Sequence, residues 1–260
     1  MNRCHPIDRE TARLLAPSGD GPLALWTHVL ADADADVPGD WLADLCAEEI
    51  AYCRRLRRAA DRLSYAAAHA LLRRALGQGL GVAPATLQFA RDARGRPRLA
   101  APAERTVDFN LSHTDGLVAV AISRVGRVGV DVECVEHIGG DRAALGALYA
   151  DSTLHELRAF GLRDDEIAEL AALPEALREA HFLDGWTLRE AVAKADGRGL
   201  SLPLSLISVD REGQVATLAN TANGAPQRWR LWRVAPTPHH RLALACANED
   251  ATLLAGTSLL

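Results

Sequence analysis

Asp131 and Glu133 stand two positions apart in the run Gly129-Val130-Asp131-Val132-Glu133. On a strand, alternate side chains share a face, so both carboxylates project together while Val130 and Val132 face the other way. Two like charges side by side call for a cation between them. A hard divalent ion with oxygen ligands, Mg²⁺ or Mn²⁺, suits the pair, and a solvated face of a half-buried strand is the alternative. A second run, Trp186-Thr187-Leu188-Arg189-Glu190-Ala191-Val192-Ala193-Lys194, places Trp186, Glu190 and Lys194 at successive i, i+4 positions on one helix face. Leu188, Ala191, Val192 and Ala193 make the rest of that helix largely apolar, so the charged pair reads as lining a cleft. Lys194 is the only lysine of the chain. Among the strongly basic side chains only lysine gives up a proton at accessible pH, so the one ammonium points to chemistry that a guanidinium cannot do.

Other runs carry weaker signals. Ser112 and His113, in Phe109-Asn110-Leu111-Ser112-His113-Thr114, are neighbours at the end of a strand and point apart, which argues against mutual activation as a hydrolase pair. They read either as hydrogen-bond donors to a phosphate or as a strand-end turn with a capping serine. Arg54, Arg55, Arg57, Arg58 and Arg62, with Arg73, Arg74 and Arg96 further on, read mostly as a solvated helix face, with one or two reaching an anionic ligand. Asp32, Asp34 and Asp36 alternate but lack the glycine turn and closing glutamate of a calcium loop. Gly77, Gly79 and Gly81 mimic half of a dinucleotide fingerprint, yet they follow a helix instead of opening one. His239-His240 and the other histidines show no metal-ligand spacing.

The elements that must position these residues follow from periodicity and punctuation. Leu23 to Leu30 reads as a buried strand, and Gly39 to Leu80 as helical, with apolar residues at helical spacing and the three glycines as its stop. Strands are expected at Leu87–Ala90, Pro97–Leu99, Val107–Leu111, Leu117–Ile122 and Val128–Val132, with a turn at Arg94-Gly95-Arg96. Helix returns from Arg142 to about Ala195, interrupted near Gly161 and Pro174. Strands resume at Leu206–Val209, Val215–Leu218, Arg228–Val234 and Leu242–Ala247. The order is that of an α+β protein with one plan used twice.

Composition bounds the rest. At 260 residues the chain holds one large or two small domains. It is 48% hydrophobic and 24% charged, which excludes a disordered or collagen-like chain. No apolar run approaches the roughly 18–20 residues of a membrane span, and MNRCHPIDRE lacks the basic-then-apolar pattern of a secretory signal. Five scattered cysteines without a Cys-x-x-Cys pair argue against a disulfide framework and for a reducing, cytoplasmic setting. A net charge of −5 does not favour non-specific nucleic-acid binding.

The two runs around Asp131 and Glu190, in this order and with Asn110-Leu111-Ser112-His113 and Gly95-Arg96-Pro97 upstream, resemble the signature of 4′-phosphopantetheinyl transferases. The likeness extends from about Trp41 to Ala247. At this length the chain is similar to the Sfp-type, single-chain, pseudo-dimeric branch rather than to the half-length trimeric holo-carrier synthases. The resemblance implies two similar α+β subdomains in pseudo-twofold arrangement, 1–125 and 126–247, followed by a tail, 248–260. It implies transfer of the phosphopantetheine arm of coenzyme A to a serine of an apo carrier protein (acyl, peptidyl or polyketide), with release of 3′,5′-ADP.

Carried over residue by residue, the resemblance implies that Asp131, Glu133 and Glu190 hold Mg²⁺ (Mn²⁺ is an alternative) against the coenzyme A pyrophosphate. Lys194 would neutralise or protonate the departing phosphate. Ser112 and His113 would contact the 3′-phosphate of coenzyme A, and Arg96 matches the basic residue of the family's Gly-Lys-Pro turn. Glu166, in Asp165-Glu166-Ile167-Ala168-Glu169-Leu170, resembles the general base toward the carrier serine, with a metal-bound water as the other option. Three departures stand out. Ser64 replaces the arginine that precedes the aromatic residue, here Tyr65, so Arg62 is expected to supply that contact. Arg189 replaces the lysine before the motif glutamate. The stretch Asp141 to Gly161 is longer than usual. The implied partners are coenzyme A and apo carrier proteins, with no nucleic acid, no membrane and no second copy of the chain. A non-catalytic module that binds coenzyme A or a carrier, and a Mg²⁺-dependent phosphohydrolase, are the alternative functions.

Overall fold

The computed structural model describes residues 23–30, 35–103, 106–135, 156–210, 212–219 and 224–254. The expectations for Asp32 and Asp34, and for a helix over 142–155, lie outside them. The chain divides into two compact units, one running through Arg127 and taking in the last described strand, the other spanning Val128–Asp250. Both are α+β.

In the first unit, strand β1 (Leu23–Val29) is followed by helices α1 (Gly39–Asp44), α2 (Ala47–Arg55) and α3 (Ala59–Leu80). Then come β2 (Gln88–Arg91), β3 (Pro97–Ala101), β4 (Asp108–Thr114) and β5 (Leu117–Ser123). The main sheet has the order β11-β1-β5-β4, where β11 is Leu253–Leu254 and runs parallel to β1. The segment 248–260 therefore contributes a strand to this unit. Val118, Val120 and Ile122 of β5 pack against Leu63, Ala67, Ala70 and Leu71 of α3. The small alanines let the helix lie close to the sheet while the leucines fill the space beside them.

The expected helix over Gly39–Leu80 is three helices. No glycine or proline marks the breaks, where side chains a few residues further on reach back to the main chain. The Cys46 N–H donates to Glu49 Oε2 at 2.9 Å, capping the start of α2. At its far end, Arg62 Nη1 donates to the carbonyls of Leu56 (3.0 Å) and Arg57 (2.9 Å), in the bend before α3. Gly77 and Gly79 lie inside α3, and only Gly81, at φ +69°, ends it.

Two of the arginines assigned to a solvated face are instead buried. Arg73 of α3 is 1% exposed and donates to Glu49 (2.7 Å) and to the carbonyls of Pro84 (2.9 Å) and Leu87 (3.0 Å). Arg96 donates to Asp108 (2.7 Å) and to the Phe109 carbonyl (3.0 Å), fastening the β2–β3 hairpin to β4. A buried guanidinium needs a carboxylate and carbonyls around it, and each has both. Arg54, Arg55, Arg57 and Arg58 are exposed.

The second unit begins with β6 (Val128–Cys134) and continues with α4 (Asp164–Ala172) and α5 (Glu175–Asp196). Strands β7 (Ile207–Val209), β8 (Val215–Leu218), β9 (Gln227–Val234) and β10 (His240–Cys246) complete it. The sheet order is β6-β10-β9-β8-β7, antiparallel throughout. Helix α5 starts after Pro174, ends at Gly197 with φ +89°, and lies across the sheet over a core of Leu183, Leu188, Val192, Trp229, Leu231 and Ala243. Among the described residues no helix is long and apolar enough to cross a membrane.

Candidate active site

The site in the second unit is built by one close approach. Gly129 of β6 faces α5 so tightly that a Cβ there would sit 2.0 Å from the Ala191 carbonyl oxygen and 2.6 Å from the Ala195 nitrogen. Asp131 and Glu133 follow on the same face of the strand, opposite Ala243 and Arg241 of β10. Because strand and helix are in backbone contact at Gly129, the side chains two and four residues further along reach the helix face that carries Trp186, Glu190 and Lys194. The two sequence runs converge.

Lys194 does not pair with Glu190 one helical turn away. Its Nζ crosses to Asp131 Oδ1 at 2.6 Å, and Asp131 is 4% exposed. Glu190 is 6% exposed, and its Oε1 has no hydrogen-bond partner among the described residues. Burial and then the neighbouring Asp131 charge push the Glu133 carboxyl up to about 8; Lys194 opposes the shift, Glu190 adds to it, and the Trp186 indole sits alongside. Burial, again followed by Asp131, pushes Glu190 up to about 7, against the pull of Lys194. One ammonium is too little charge for three neighbouring carboxylates, two of them buried. Phe160 and Phe182 pack around Trp186, with Phe160 edge-on to both rings, and form an apolar wall beside the cluster.

The donor set suits a hard dication. Three carboxylates converge, and one of their oxygens is buried without a partner. Among the described residues, no three carboxylate, imidazole or thiol groups stand so that they could hold a metal ion by themselves. Mg²⁺ usually keeps several waters and is bound through one or two carboxylates plus substrate phosphates, so a site here would need the substrate to complete it.

Glu166 is elsewhere. It lies in the first turn of α4 and accepts the Arg163 N–H at 2.8 Å. Both its oxygens accept from Arg189 Nη2, at 2.9 and 2.7 Å. Arg189 is one position from Glu190, hence turned about 100° around the helix from it. The pair lines a cavity of about 380 Å³ with Asp165, Asp184 and Asp210.

The remaining expected residues belong to the first unit. His113 is exposed and shares a face of β4 with Phe109 and Leu111, whereas Ser112 is buried on the opposite face. Arg62 spends Nη1 on the two backbone carbonyls named above, and Arg96 is fastened to Asp108. Phe109 and Leu111 line a groove of about 770 Å³ together with Arg55, Tyr65, His69 and Pro97. Tyr65 stacks on His69 at 4.1 Å and meets Tyr52 at 4.9 Å, while the Arg55 guanidinium lies 5.5 Å over Tyr52. This aromatic wall carried no signal of its own in the sequence: Tyr65 and His69 are one helical turn apart on α3, and Tyr52 joins them only because α2 folds back.

Comparison with known proteins agrees in both units. Residues 127–247 match the 4′-phosphopantetheinyl transferase superfamily, and residues 40–125 match the 4′-phosphopantetheinyl transferase N-terminal family. The 4′-phosphopantetheinyl transferase HetI of Nostoc is 31% identical over 180 residues, covering 68% of this chain and 69% of that one. A phosphopantetheinyl transferase of Thraustochytrium is 31% identical over 183 residues, covering 68% and 61%. The 4′-phosphopantetheinyl transferase Sfp of Bacillus subtilis is 24% identical over 214 residues, covering 80% and 86%.

Proposed function

Because the chain belongs to the 4′-phosphopantetheinyl transferase family, and so modifies carrier proteins with coenzyme A as substrate, we propose that the Asp131–Glu133–Glu190–Lys194 cluster is where the arm changes hands. The observation that carries this is the convergence of three acidic side chains, drawn from two distant runs, beside the single ammonium of the chain. Asp131, Glu133 and Glu190 would hold Mg²⁺ beside the pyrophosphate of coenzyme A. The ion, when bound, supplies charge neutralisation at the attacked phosphorus and its leaving group. The carrier serine gives its proton to a water molecule as its oxygen bonds that phosphorus, and the bond from phosphorus to the oxygen of 3′,5′-ADP breaks, its electron pair leaving with that oxygen. Lys194, tethered to Asp131, is held where it meets the departing phosphate. The wall of Trp186, Phe160 and Phe182 limits water beside the cluster, so that the serine and not a water molecule is the nucleophile.

The groove of the first unit has the lining of a nucleotide site in this reading. A stacked tyrosine–histidine pair offers a face for a base, and Arg55 offers positive charge and donors to phosphate. Glu49 of the same groove is already paired with Arg73 and hydrogen-bonded to His69. Acyl, peptidyl and polyketide carriers are all candidate partners. A cytoplasmic monomer is part of the same proposal, since both candidate regions lie on one chain.

The test is direct. A purified apo carrier incubated with coenzyme A and Mg²⁺ should gain the mass of one phosphopantetheine arm, and Glu190→Gln should lose that gain. Full Mg²⁺-dependent turnover by Glu190→Gln removes Glu190 from the cation site. Release of 3′,5′-ADP without any carrier would point instead to a hydrolase.

A further inference from the structure

We infer that Arg189 and Glu166 form a positioning pair that sets the direction of Glu190, and that Glu166 is not the proton acceptor for the carrier serine. This rests on the proposed role of Asp131, Glu133 and Glu190.

The Arg189 side chain is 0% exposed, while that of Glu166 is 22% exposed. Guanidinium and carboxylate meet through Nη2, which contacts both oxygens, and Nη1 of the same guanidinium donates to the Gly185 carbonyl at 3.1 Å. Glu166 Oε2 accepts the Arg163 N–H as well, so the carboxylate closes the start of α4 while gripping α5. Arg163 in turn donates from Nη1 to the Val209 carbonyl on β7, at 2.9 Å. A continuous chain of charge-assisted hydrogen bonds therefore runs from β7 through the first turn of α4 into the middle of α5. It ends one residue before Glu190.

A helix packed on a sheet is held against rolling by its core contacts, and a fixed contact on another face of the helix adds to that hold. Gly129 sets how near α5 comes to β6. The Arg189–Glu166 pair, about 100° around the helix from Glu190, sets how far the helix is rolled. Glu190 and Lys194 are long side chains whose tips swing through a wider arc than the helix surface. A small roll separates them from Asp131. Both oxygens of Glu166 already accept from Arg189, and Oε2 accepts the Arg163 N–H as well, so the carboxylate is engaged in holding α5.

The experiment measures the half-saturating Mg²⁺ concentration for carrier modification. Alongside it, Mn²⁺ affinity is measured by electron paramagnetic resonance in the presence of coenzyme A but without carrier. Outer partners of metal ligands typically contribute about 10–100-fold to metal affinity or activity. Arg189→Ala should raise the half-saturating Mg²⁺ by about tenfold and weaken Mn²⁺ in parallel, with turnover mostly restored at saturating metal. Arg189→Lys should recover part of the loss. Glu166→Gln, which keeps one acceptor toward Arg189 and loses the charge, should raise the half-saturating Mg²⁺ in the same direction by a smaller factor, with turnover mostly restored at saturating metal. A general base would behave differently: Glu166→Gln would lose about 10²–10⁴-fold at saturating Mg²⁺, with the metal requirement unchanged, and that result overturns the inference. A lower melting temperature in the variants with an unchanged metal requirement overturns it too. If Arg189→Ala does not fold, Arg189→Lys and Glu166→Gln carry the same comparison. A parent chain that needs no divalent ion would refute the cation site itself, a failure separable from that of the pair.

Discussion

Replacing Gly129 by alanine isolates the contact that assembles the site. The added methyl would lie 2.0 Å from the Ala191 carbonyl oxygen, 2.6 Å from the Ala195 nitrogen and 3.0 Å from the Ala195 Cβ. Real Cβ atoms do not approach closer than 3.0 Å, so the worst contact must open by at least 1.0 Å. Two of the three obstructing atoms are backbone in the middle of a helix. They cannot swing aside as the end of a flexible side chain would, and α5 as a whole has to lift. Overpacking of a tight core costs about 1–3 kcal/mol and occasionally more, and a rigid backbone clash belongs at the upper end. At roughly 2–4 °C per kcal/mol, the melting temperature of this unit should fall by about 6–12 °C. The effect on catalysis is separate and larger. Asp131 is two residues along the strand, and its 2.6 Å contact with Lys194 spans the gap that widens. A misplacement of about 1 Å costs on the order of 10²-fold in rate. Thermal melts followed by near-ultraviolet circular dichroism, beside carrier modification assayed well below the melting temperature, read both effects. Gly129→Ala with parent-like melting and turnover would refute the claim that backbone contact at Gly129 positions the acidic cluster.

Other consequences concern the first unit and the ammonium. Burial would raise the Glu49 carboxyl, but His69, Arg73 and the Cys46 N–H together lower it from 4.5 to about 2. The folded value lies below the unfolded one, so this group's stabilisation is complete above about pH 4.5 and is lost as pH falls through about 2. The difference corresponds to on the order of 3 kcal/mol. Acid melts of the parent chain should steepen across that window, and those of Glu49→Gln should be flatter there; parallel curves would refute the assignment. Arg73→Met takes the guanidinium from the half-buried Glu49 carboxylate and from the Pro84 and Leu87 carbonyls, and should destabilise by about 2–3 kcal/mol in urea titrations. A loss under 1 kcal/mol would return Arg73 to the surface. Lys194→Ala should lower turnover more than it weakens coenzyme A binding measured by calorimetry, and equal losses would make it an anchor only.

What could be read from the sequence, and what could not, divides along a physical line. A strand fixes the direction of a side chain by parity and a helix by its 3.6-residue turn, so Asp131 with Glu133, and Glu190 with Lys194, announce a shared face from spacing alone. Nothing local announces a partner across the fold. Lys194 looked able to bond Glu190 four residues away and instead bonds Asp131. Arg54 and Arg73 are the same residue type on neighbouring helices, yet one is solvated and the other is among the most buried side chains in the chain, because only Arg73 faces Glu49. The breaks in the long helical run are a different case: Glu49 and Arg62 reach back three to six residues to the main chain, a local pattern with no glycine or proline to mark it. Gly129 shows the rule most sharply. In the sequence it is a glycine before a Val-Asp-Val-Glu alternation, with no positive φ to require it. Its necessity comes from a helix more than sixty residues later, whose backbone occupies the space where a methyl would be. Arg189 was hidden behind its neighbour: a cation beside a motif glutamate invites an electrostatic role in the reaction, whereas its own contacts turn it away, into a buried pair that the helix period alone does not predict. Chemistry that depends on direction is thus written in short spacings, and chemistry that depends on distance is written only in the packing.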